Sequence, residues 1–286
     1  MKNIAGGAAV LGVPMSLESV FAANEAALGP ELKGKIRHSV CKWCYNNLTL
    51  EELASKAKEI GLSSIELVGE EGWPTLKKHG LTCALPSMSG LASSLTKGFN
   101  DPKNHDELIA SFEAAFPKIQ AAGYNTVICF SGNRSGMSDI DGMMNCAAGL
   151  KKLMKSAEKH KITMIMELLN SKVDHKDYMC DHTAWGAALC EMVGSENFKL
   201  LYDIYHMQIM EGDVIATIRK YHQYIGHYHT GGVPGRNEID ETQELNYPAI
   251  MKAIYDTGFK GFVGQEFIPK RDPLTSLKQG VQICDI

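Results

Sequence analysis

A single (β/α)₈ barrel, an α/β fold, is the fold class that the sequence predicts. Eight short runs rich in β-branched residues alternate with longer amphipathic runs. The strand-like runs begin about 32 residues apart on average, which is the length that a strand and its crossover helix require. The chain has 286 residues, and no low-complexity linker divides residues 31–286. We therefore predict one barrel domain over residues 31–286.

The individual elements follow in order along the chain. The predicted strands begin near Ile36, Ser64, Leu81, Asn125, Ile162, Phe198, Tyr224 and Lys260. The clearest helical runs between them are Leu50 to Ile60, Asp106 to Ala122, Gly142 to Lys159 and Tyr247 to Thr257. Gly61, Gly123 and Gly258 follow three of these runs, as is typical of helix C-termini. The third strand is the least regular, because its spacing from its neighbours is uneven.

Composition and charge exclude several classes of protein. An apolar share of 44% with 22% charged residues is ordinary for a globular chain and excludes disorder. The 29 basic and 33 acidic side chains leave a net charge of −4. Proteins that bind nucleic acids or anionic membranes usually carry an excess of basic residues, which this chain does not have. The eight cysteines do not form a small-scaffold disulfide pattern. We favour free thiols for Cys41 and Cys44. A disulfide between these two residues is the alternative if the protein is exported.

Residues 1–30 are predicted to be the remnant of an export leader, outside the fold. Lys2 precedes an apolar block rich in Ala and Gly, and Val20-Phe21-Ala22-Ala23 resembles a small-residue cleavage zone. The block is too short to span a bilayer as a permanent helix, so no stable membrane insertion is expected. The prediction is export to a bacterial periplasm. The alternative is a buried Ala-rich helix in a cytoplasmic protein.

Four strand-like runs end in an ionisable residue where the apolar pattern predicts otherwise. These residues are Glu167, Asp203, His229 and Glu266, and we call them the strand-end quartet. Side chains alternate across a strand, so each quartet residue shares a face with the apolar residue two positions before it. If that face is directed inward, the quartet points into the barrel. The carboxyl ends of barrel strands carry the active sites of this fold class. The alternative is four separate solvated carboxylates or structural ion pairs.

A divalent cation is the simplest explanation for such a quartet. Three anions in a partly dry cavity repel one another and lose hydration, so a positive charge must compensate. Carboxylates and one imidazole suit Mn²⁺ or Mg²⁺, and Zn²⁺ or Co²⁺ also fit. The sequence thus predicts one divalent metal ion held by the quartet.

Four further residues are candidates for substrate binding. His206 and Asn170 each follow a quartet member by three positions, where they reach a bound ligand or, alternatively, cap a helix or orient a carboxylate. Lys172 and Arg236 are candidates to hold a substrate carboxylate or phosphate. Arg236 ranks above Lys172 because a glycine-rich loop, residues 231–235, precedes it. The alternative for Arg236 is a solvated loop cation.

Several motifs together resemble a known group. Glu167-Leu-Leu-Asn170, Tyr202-Asp203-Ile-Tyr-His206-Met-Gln208, Ile225-Gly226-His227-Tyr-His229 and Gly264-Gln265-Glu266-Phe267 resemble the xylose isomerase-like barrel superfamily, and within it the hydroxypyruvate isomerases. The resemblance covers residues 36 to 283. It implies a metal-dependent (β/α)₈ enzyme with the quartet as metal ligands and His206 as a substrate contact. His229 stands where hydroxypyruvate isomerases often have Gln, which is more similar to the ketose 3-epimerase branch.

The predicted activity is isomerisation of a small sugar or hydroxy-keto acid through an enediolate stabilised by the metal. Glu167 and Glu266 are the candidate acid and base. Return of the proton to the neighbouring carbon gives isomerisation, and return to the other face of the same carbon gives epimerisation.

Three alternatives stay open at this point. A ketose 3-epimerase needs the same carboxylates. An exported sugar-binding protein would keep the site without turnover, and an abasic-site endonuclease would need several zinc ions and a DNA-compatible surface. A homo-oligomer is also possible on this sequence, which does not determine assembly.

Overall fold

The computed structural model describes residues 31–286. The predicted leader, residues 1–30, lies outside the described residues and stays a prediction. Within the described part of the chain, none of the helices has the length and apolar character needed to span a bilayer. All eight cysteines fall in this part, and all are free thiols, including Cys41 and Cys44.

Seven parallel strands form one curled sheet in the order β2-β1-β7-β6-β5-β4-β3. They are β1 (Arg37–Cys41), β2 (Ser64–Glu66), β3 (Thr126–Cys129), β4 (Thr163–Glu167), β5 (Phe198–Asp203), β6 (Ile225–Thr230) and β7 (Phe262–Gln265). Each lies within two residues of a predicted start. The helices that cross between strands pack around the sheet, as they do in barrels of this class.

The helices agree with the amphipathic runs of the sequence. They are α1 (Leu50–Ile60), α2 (Trp73–Lys78), α3 (His105–Ala122), α4 (Asp139–His160), α5 (Thr183–Val193), α6 (Ile204–Met210), α7 (Val214–Tyr221), α8 (Tyr247–Asp256) and α9 (Pro273–Cys284). Local sequence sets the ends of α1: Thr49 and Glu52 form a reciprocal capping box at its start. Gly61 ends it with φ +99°, a conformation that glycine adopts without steric cost.

The predicted third strand near Leu81 is wrong as a regular strand. The segment lies between β2 and β3 and keeps several backbone hydrogen bonds to the β2 side, but its only bridge within the described residues joins Thr82 and Ser64. At Ala84 side-chain hydroxyls interrupt the ladder: the Ala84 amide donates to Ser64 Oγ (2.8 Å), and Thr126 Oγ1 donates to the Ala84 carbonyl. Pro86, two residues further on, has no N–H to donate. The barrel is therefore completed at this point by an irregular segment.

The alternation of side chains along β4 separates two apolar regions. Met164 and Met166 belong to the large core between sheet and helices. Ile165 packs instead in a small cluster with Leu85 and Leu201. Because side chains two residues apart share a face of a strand, Glu167 lies on the side of Ile165. This face is the interior of the barrel, at its C-terminal end.

Candidate functional site

The strand register brings the strand-end quartet together. Asp203 at the end of β5 is the register partner of His229 in β6, and His229 is the partner of Gly264 in β7. Glu266 follows β7 directly, and Glu167 is the last residue of β4. One ligand atom from each of Glu167, Asp203, His229 and Glu266 lies within 4.8 Å of the others, and all four residues are buried.

The sequence Asp-Ile-Tyr-His at the start of α6 orients the Asp203 carboxylate. Asp203 Oδ1 accepts the backbone N–H of His206 and so caps the helix (3.2 Å). The other oxygen, Oδ2, faces the site, where the Arg236 guanidinium donates to it (3.2 Å). The helix cap thus leaves one oxygen of Asp203 for a ligand.

Glu266 has a defined partner at each carboxylate oxygen. The indole N–H of Trp43 donates to Oε1 (2.7 Å), and Arg236 donates to Oε2 (2.6 Å). His229 Nδ1 is also 2.7 Å from Oε2. Burial by itself favours the neutral acid, but the neighbouring His229 and Arg236 hold the pKa of Glu266 well below its usual range. Glu266 is therefore ionised.

The other two carboxyls titrate in the opposite direction. Burial, together with repulsion from Glu266, raises the pKa of Glu167 to about 8. Burial also raises the pKa of Asp203 to about 7, against the opposing effect of Arg236. Three ionised carboxylates would therefore carry more negative charge than Arg236 and His229 can balance.

His206 is buried beside the quartet and presents one free nitrogen. The Asn170 amide NH₂ donates to His206 Nδ1 (2.7 Å), while the Asn170 amide oxygen accepts the N–H groups of Val173 and Asp174. These contacts fix the amide orientation and place the imidazole proton on Nε2. That Nε2 has no hydrogen-bond partner among the described residues, and it lies 3.7 Å from Asp203 Oδ2. His206 can therefore donate a hydrogen bond into the site.

The structure does not bring all four predicted substrate-binding residues to the site. Arg236 lines the cavity described below, but its guanidinium is engaged by Asp203 and Glu266. Asn170 lies behind His206, where its side chain is used within the protein. Lys172 is exposed and donates to the carbonyls of Ile209 and Met210 at the end of α6.

We expect Lys172→Ala to leave substrate affinity unchanged. The ammonium caps backbone carbonyls at an exposed helix end, so its loss should cost no more than about 1 kcal/mol of unfolding free energy. Urea unfolding and KM with any accepted substrate test this expectation. An increase in KM of tenfold or more would contradict this expectation and indicate that Lys172 contacts the substrate.

A cavity of about 530 Å³ opens beside the quartet. Its polar side holds Trp43, Glu167, His175, Arg236 and Glu266. The rest of its wall is mostly apolar and comes from the ends of β2, β3 and β4 and from the loop after the irregular third segment: Leu67, Met88, Leu91, Leu95, Ile128, Phe130 and Leu169. Sequence analysis did not assign Trp43, His175 or this wall to the site, since their approach depends on loops that carry no recognisable motif.

Comparisons with known proteins identify the family of this chain. A family model described as the xylose isomerase-like TIM barrel matches residues 54–285. The chain belongs to this xylose isomerase-like family. The predicted barrel and the predicted resemblance are thereby confirmed.

Individual relatives of the xylose isomerase-like chain are named as isomerases. A 2-oxo-tetronate isomerase of Cupriavidus necator is 37% identical over 109 residues, which cover 38% of this chain and 41% of the relative. A Drosophila melanogaster protein, provisionally named hydroxypyruvate isomerase, is 31% identical over 237 residues, 80% of this chain and 89% of the relative. In several other curated relatives the match spans about two fifths of the relative's length.

A solved structure supports the fold. The structure titled AP endonuclease, family 2, from Brucella melitensis superposes with a TM-score of 0.76 and 23% identity, covering 86% of this chain and 99% of that chain. At this identity the likeness concerns the fold alone.

Proposed function

We propose that this chain is an isomerase that depends on one divalent metal ion and acts on a small hydroxy-keto acid or sugar. The observation that carries the proposal is the convergence of three carboxylates and one imidazole beside an open cavity. Relatives named as hydroxypyruvate and 2-oxo-tetronate isomerases support an α-hydroxycarbonyl substrate. Mn²⁺ or Mg²⁺ suits the oxygen-rich donor set best, while Zn²⁺ and Co²⁺ also fit.

The residues present fit a metal ion. His229 Nδ1 is buried and makes no hydrogen bond within the described residues, although it faces Glu266 Oε2 at 2.7 Å and Glu167 Oε1 at 4.0 Å. Asp203 and Glu167 have raised pKa values, as expected of anions gathered in a dry site without enough positive charge. Glu167, Asp203, His229 and Glu266 are the proposed ligands.

The chain's own residues then supply the proton transfer. When bound, the cation would polarise the substrate carbonyl and stabilise the negative charge that develops on its oxygen. The ionised one of Glu167 and Glu266 removes a proton from the carbon that carries the hydroxyl group. The same carboxyl, or the other one, returns a proton to the neighbouring carbon, and the proton of the hydroxyl group passes to the former carbonyl oxygen. The hydroxy-ketone thereby becomes its isomer without any net redox change. His206 Nε2–H donates to a substrate oxygen.

Epimerisation is a second candidate reaction because Glu167 and Glu266 come from well-separated strands of the sheet. Glu167 ends β4 and Glu266 follows β7, and β5 and β6 separate these strands in the sheet. Both side chains line the cavity. Two separate carboxyls beside one substrate would allow one to remove a proton from a carbon and the other to return it to the opposite face. The cavity also has room for a substrate longer than three carbons.

We expect the purified protein, loaded with Mn²⁺, to incorporate solvent deuterium into substrate. Hydroxypyruvate, short hydroxy-keto acids and small ketoses are incubated in D₂O and followed by NMR. Deuterium at the neighbouring carbon of a converted product indicates isomerisation, whereas deuterium with inverted configuration at one carbon indicates epimerisation. Tight ligand binding without any exchange would contradict the proposal and favour a binding protein without turnover.

Metal analysis of the same sample separates the hydrolytic alternative. Three overlapping groups could hold an ion among the described residues, and all three include His229. This overlap supports one metal position, so we expect about one divalent ion for each chain. A ratio near three would favour the endonuclease branch.

Export of the protein is a separate proposal, which rests on residues 1–30 alone. Cell fractionation would test it.

A further inference from the structure

One buried carboxylate at the barrel centre is not part of the strand-end quartet. Glu66 ends β2, and it is fully buried. Its Oε2 lies 2.6 Å from His227 Nε2 and 3.3 Å from His229 Nε2. The two imidazole rings meet edge to face with their centroids 5.1 Å apart. A single carboxylate oxygen therefore lies close to both histidines of β6, and His229 Nε2 is the one hydrogen-bonded to it among the described residues.

The two ring nitrogens of His229 face opposite ways. Nδ1 faces the quartet carboxylates, with Glu266 Oε2 at 2.7 Å. Nε2 faces Glu66, to which it is hydrogen-bonded. An ionised carboxylate only accepts hydrogen bonds, so the proton of this bond belongs to Nε2. Nδ1 makes no hydrogen bond within the described residues. In a neutral ring the lone pair is therefore on Nδ1, the nitrogen that faces the proposed ion.

The facing strand leaves room for this carboxylate. A Cβ atom at Gly264 in β7 would lie 2.2 Å from Glu66 Oε1 and 2.9 Å from His229 Cδ2. Any other residue at position 264 would therefore displace Glu66, His229 or both. The packing thus leaves space for the contact between Glu66 and His229. A carboxylate that only contacted solvent would not need this space.

We propose that Glu66 is a positioning residue that orients the His229 ring and holds its proton on Nε2, so that Nδ1 is the metal donor. This inference rests on the proposed metal site. Carboxylates that accept the outer N–H of a metal-bound imidazole usually strengthen metal affinity 10- to 100-fold. Glu66 does not itself contact the ion and takes no part in proton transfer to substrate.

Metal affinity measured without substrate tests the role. Isothermal titration of Mn²⁺ into the metal-free full chain is compared for the unaltered protein, Glu66→Gln and Glu66→Leu. We expect Kd to rise about tenfold in Glu66→Gln, which keeps an accepting amide oxygen, and about 100-fold in Glu66→Leu, which has none. Equal Kd values in all three proteins would overturn the inference.

His227→Asn is the matched control, because it removes the other imidazole that contacts Glu66 and leaves His229 in place. We expect its Kd for Mn²⁺ to stay within about threefold of the unaltered protein. A loss as large as that of Glu66→Leu would indicate a general disturbance of the barrel interior and would overturn the assigned role.

A measurement on the unaltered protein covers the case in which the variants fail to fold. Long-range ¹H–¹⁵N NMR of the chain loaded with Mg²⁺ is expected to show a proton on His229 Nε2 and none on Nδ1. The opposite tautomer would overturn the inference alone. A chain that binds no divalent cation would overturn both this inference and the proposed function.

Discussion

Glu266→Gln is expected to lower turnover at least about 10³-fold while leaving the barrel folded. The change removes the charge of a carboxylate that is a proposed metal ligand and, with Glu167, a proposed proton-transfer group, and proton transfer alone accounts for about 10²- to 10⁴-fold. The amide keeps the size of the side chain, and its oxygen can still accept the Trp43 N–H. Glu167→Gln is expected to have an effect of the same order.

Deuterium exchange and turnover, measured on both variants with the accepted substrate, check this expectation, and circular dichroism checks the fold. Glu241→Gln is a suitable control, since Glu241 is an exposed glutamate outside the cavity. A purified variant that keeps more than about a tenth of the activity would remove that glutamate from the proposed proton transfer.

Arg236→Gln is expected to destabilise the metal-free protein by about 3 kcal/mol and to strengthen Mn²⁺ binding. The guanidinium contacts Asp203 Oδ2 at 3.2 Å and Glu266 Oε2 at 2.6 Å, and its side chain is only 14% exposed. Removing it takes the guanidinium from two buried carboxylates, and His229 remains as the positive partner beside Glu266. Because a metal ion would use the same two oxygens, Arg236 competes with it. Loss of Arg236 therefore favours metal binding.

Urea unfolding with and without saturating Mn²⁺ measures both effects. We expect most of the lost stability to return on metal addition, and the Kd for Mn²⁺ to fall about tenfold or more. Arg236→Lys is the matched comparison, since it keeps the charge but loses the guanidinium, whose Nη2 donates to both carboxylates while Nε donates to the Glu266 carbonyl. Equal destabilisation with and without Mn²⁺ would contradict competition between Arg236 and the ion.

The sequence was sufficient for the quartet because strand geometry is regular. Side chains at positions i and i+2 share a face, so the end of each apolar run predicts which ionisable residue enters the barrel. The register then aligns Asp203 with His229 without further information. Residues in loops carry no such periodicity. Lys172 and Asn170 have suitable chemistry, but the path of their loop turns one toward helix α6 and the other behind His206.

The third segment shows a related limit. Its apolar residues predict a strand, and the segment does occupy that position beside β2. Whether it pairs as a ladder depends on the hydroxyls of Ser64 and Thr126, which are distant along the chain. Such competition between side-chain and backbone hydrogen bonds is decided only when the neighbours are in place.

By itself the sequence determined the barrel, its helices and the four ionisable strand ends, because periods of 2 and 3.6 residues express local backbone geometry. Tertiary structure alone decided which carboxylate contacts His229 Nε2 and which cationic side chain contacts Asp203 and Glu266. Glu66 meets His229 across 163 positions of the chain, and Arg236 meets Asp203 across 33. Contacts of this kind depend on distances below 4 Å between side chains, and no local pattern encodes them.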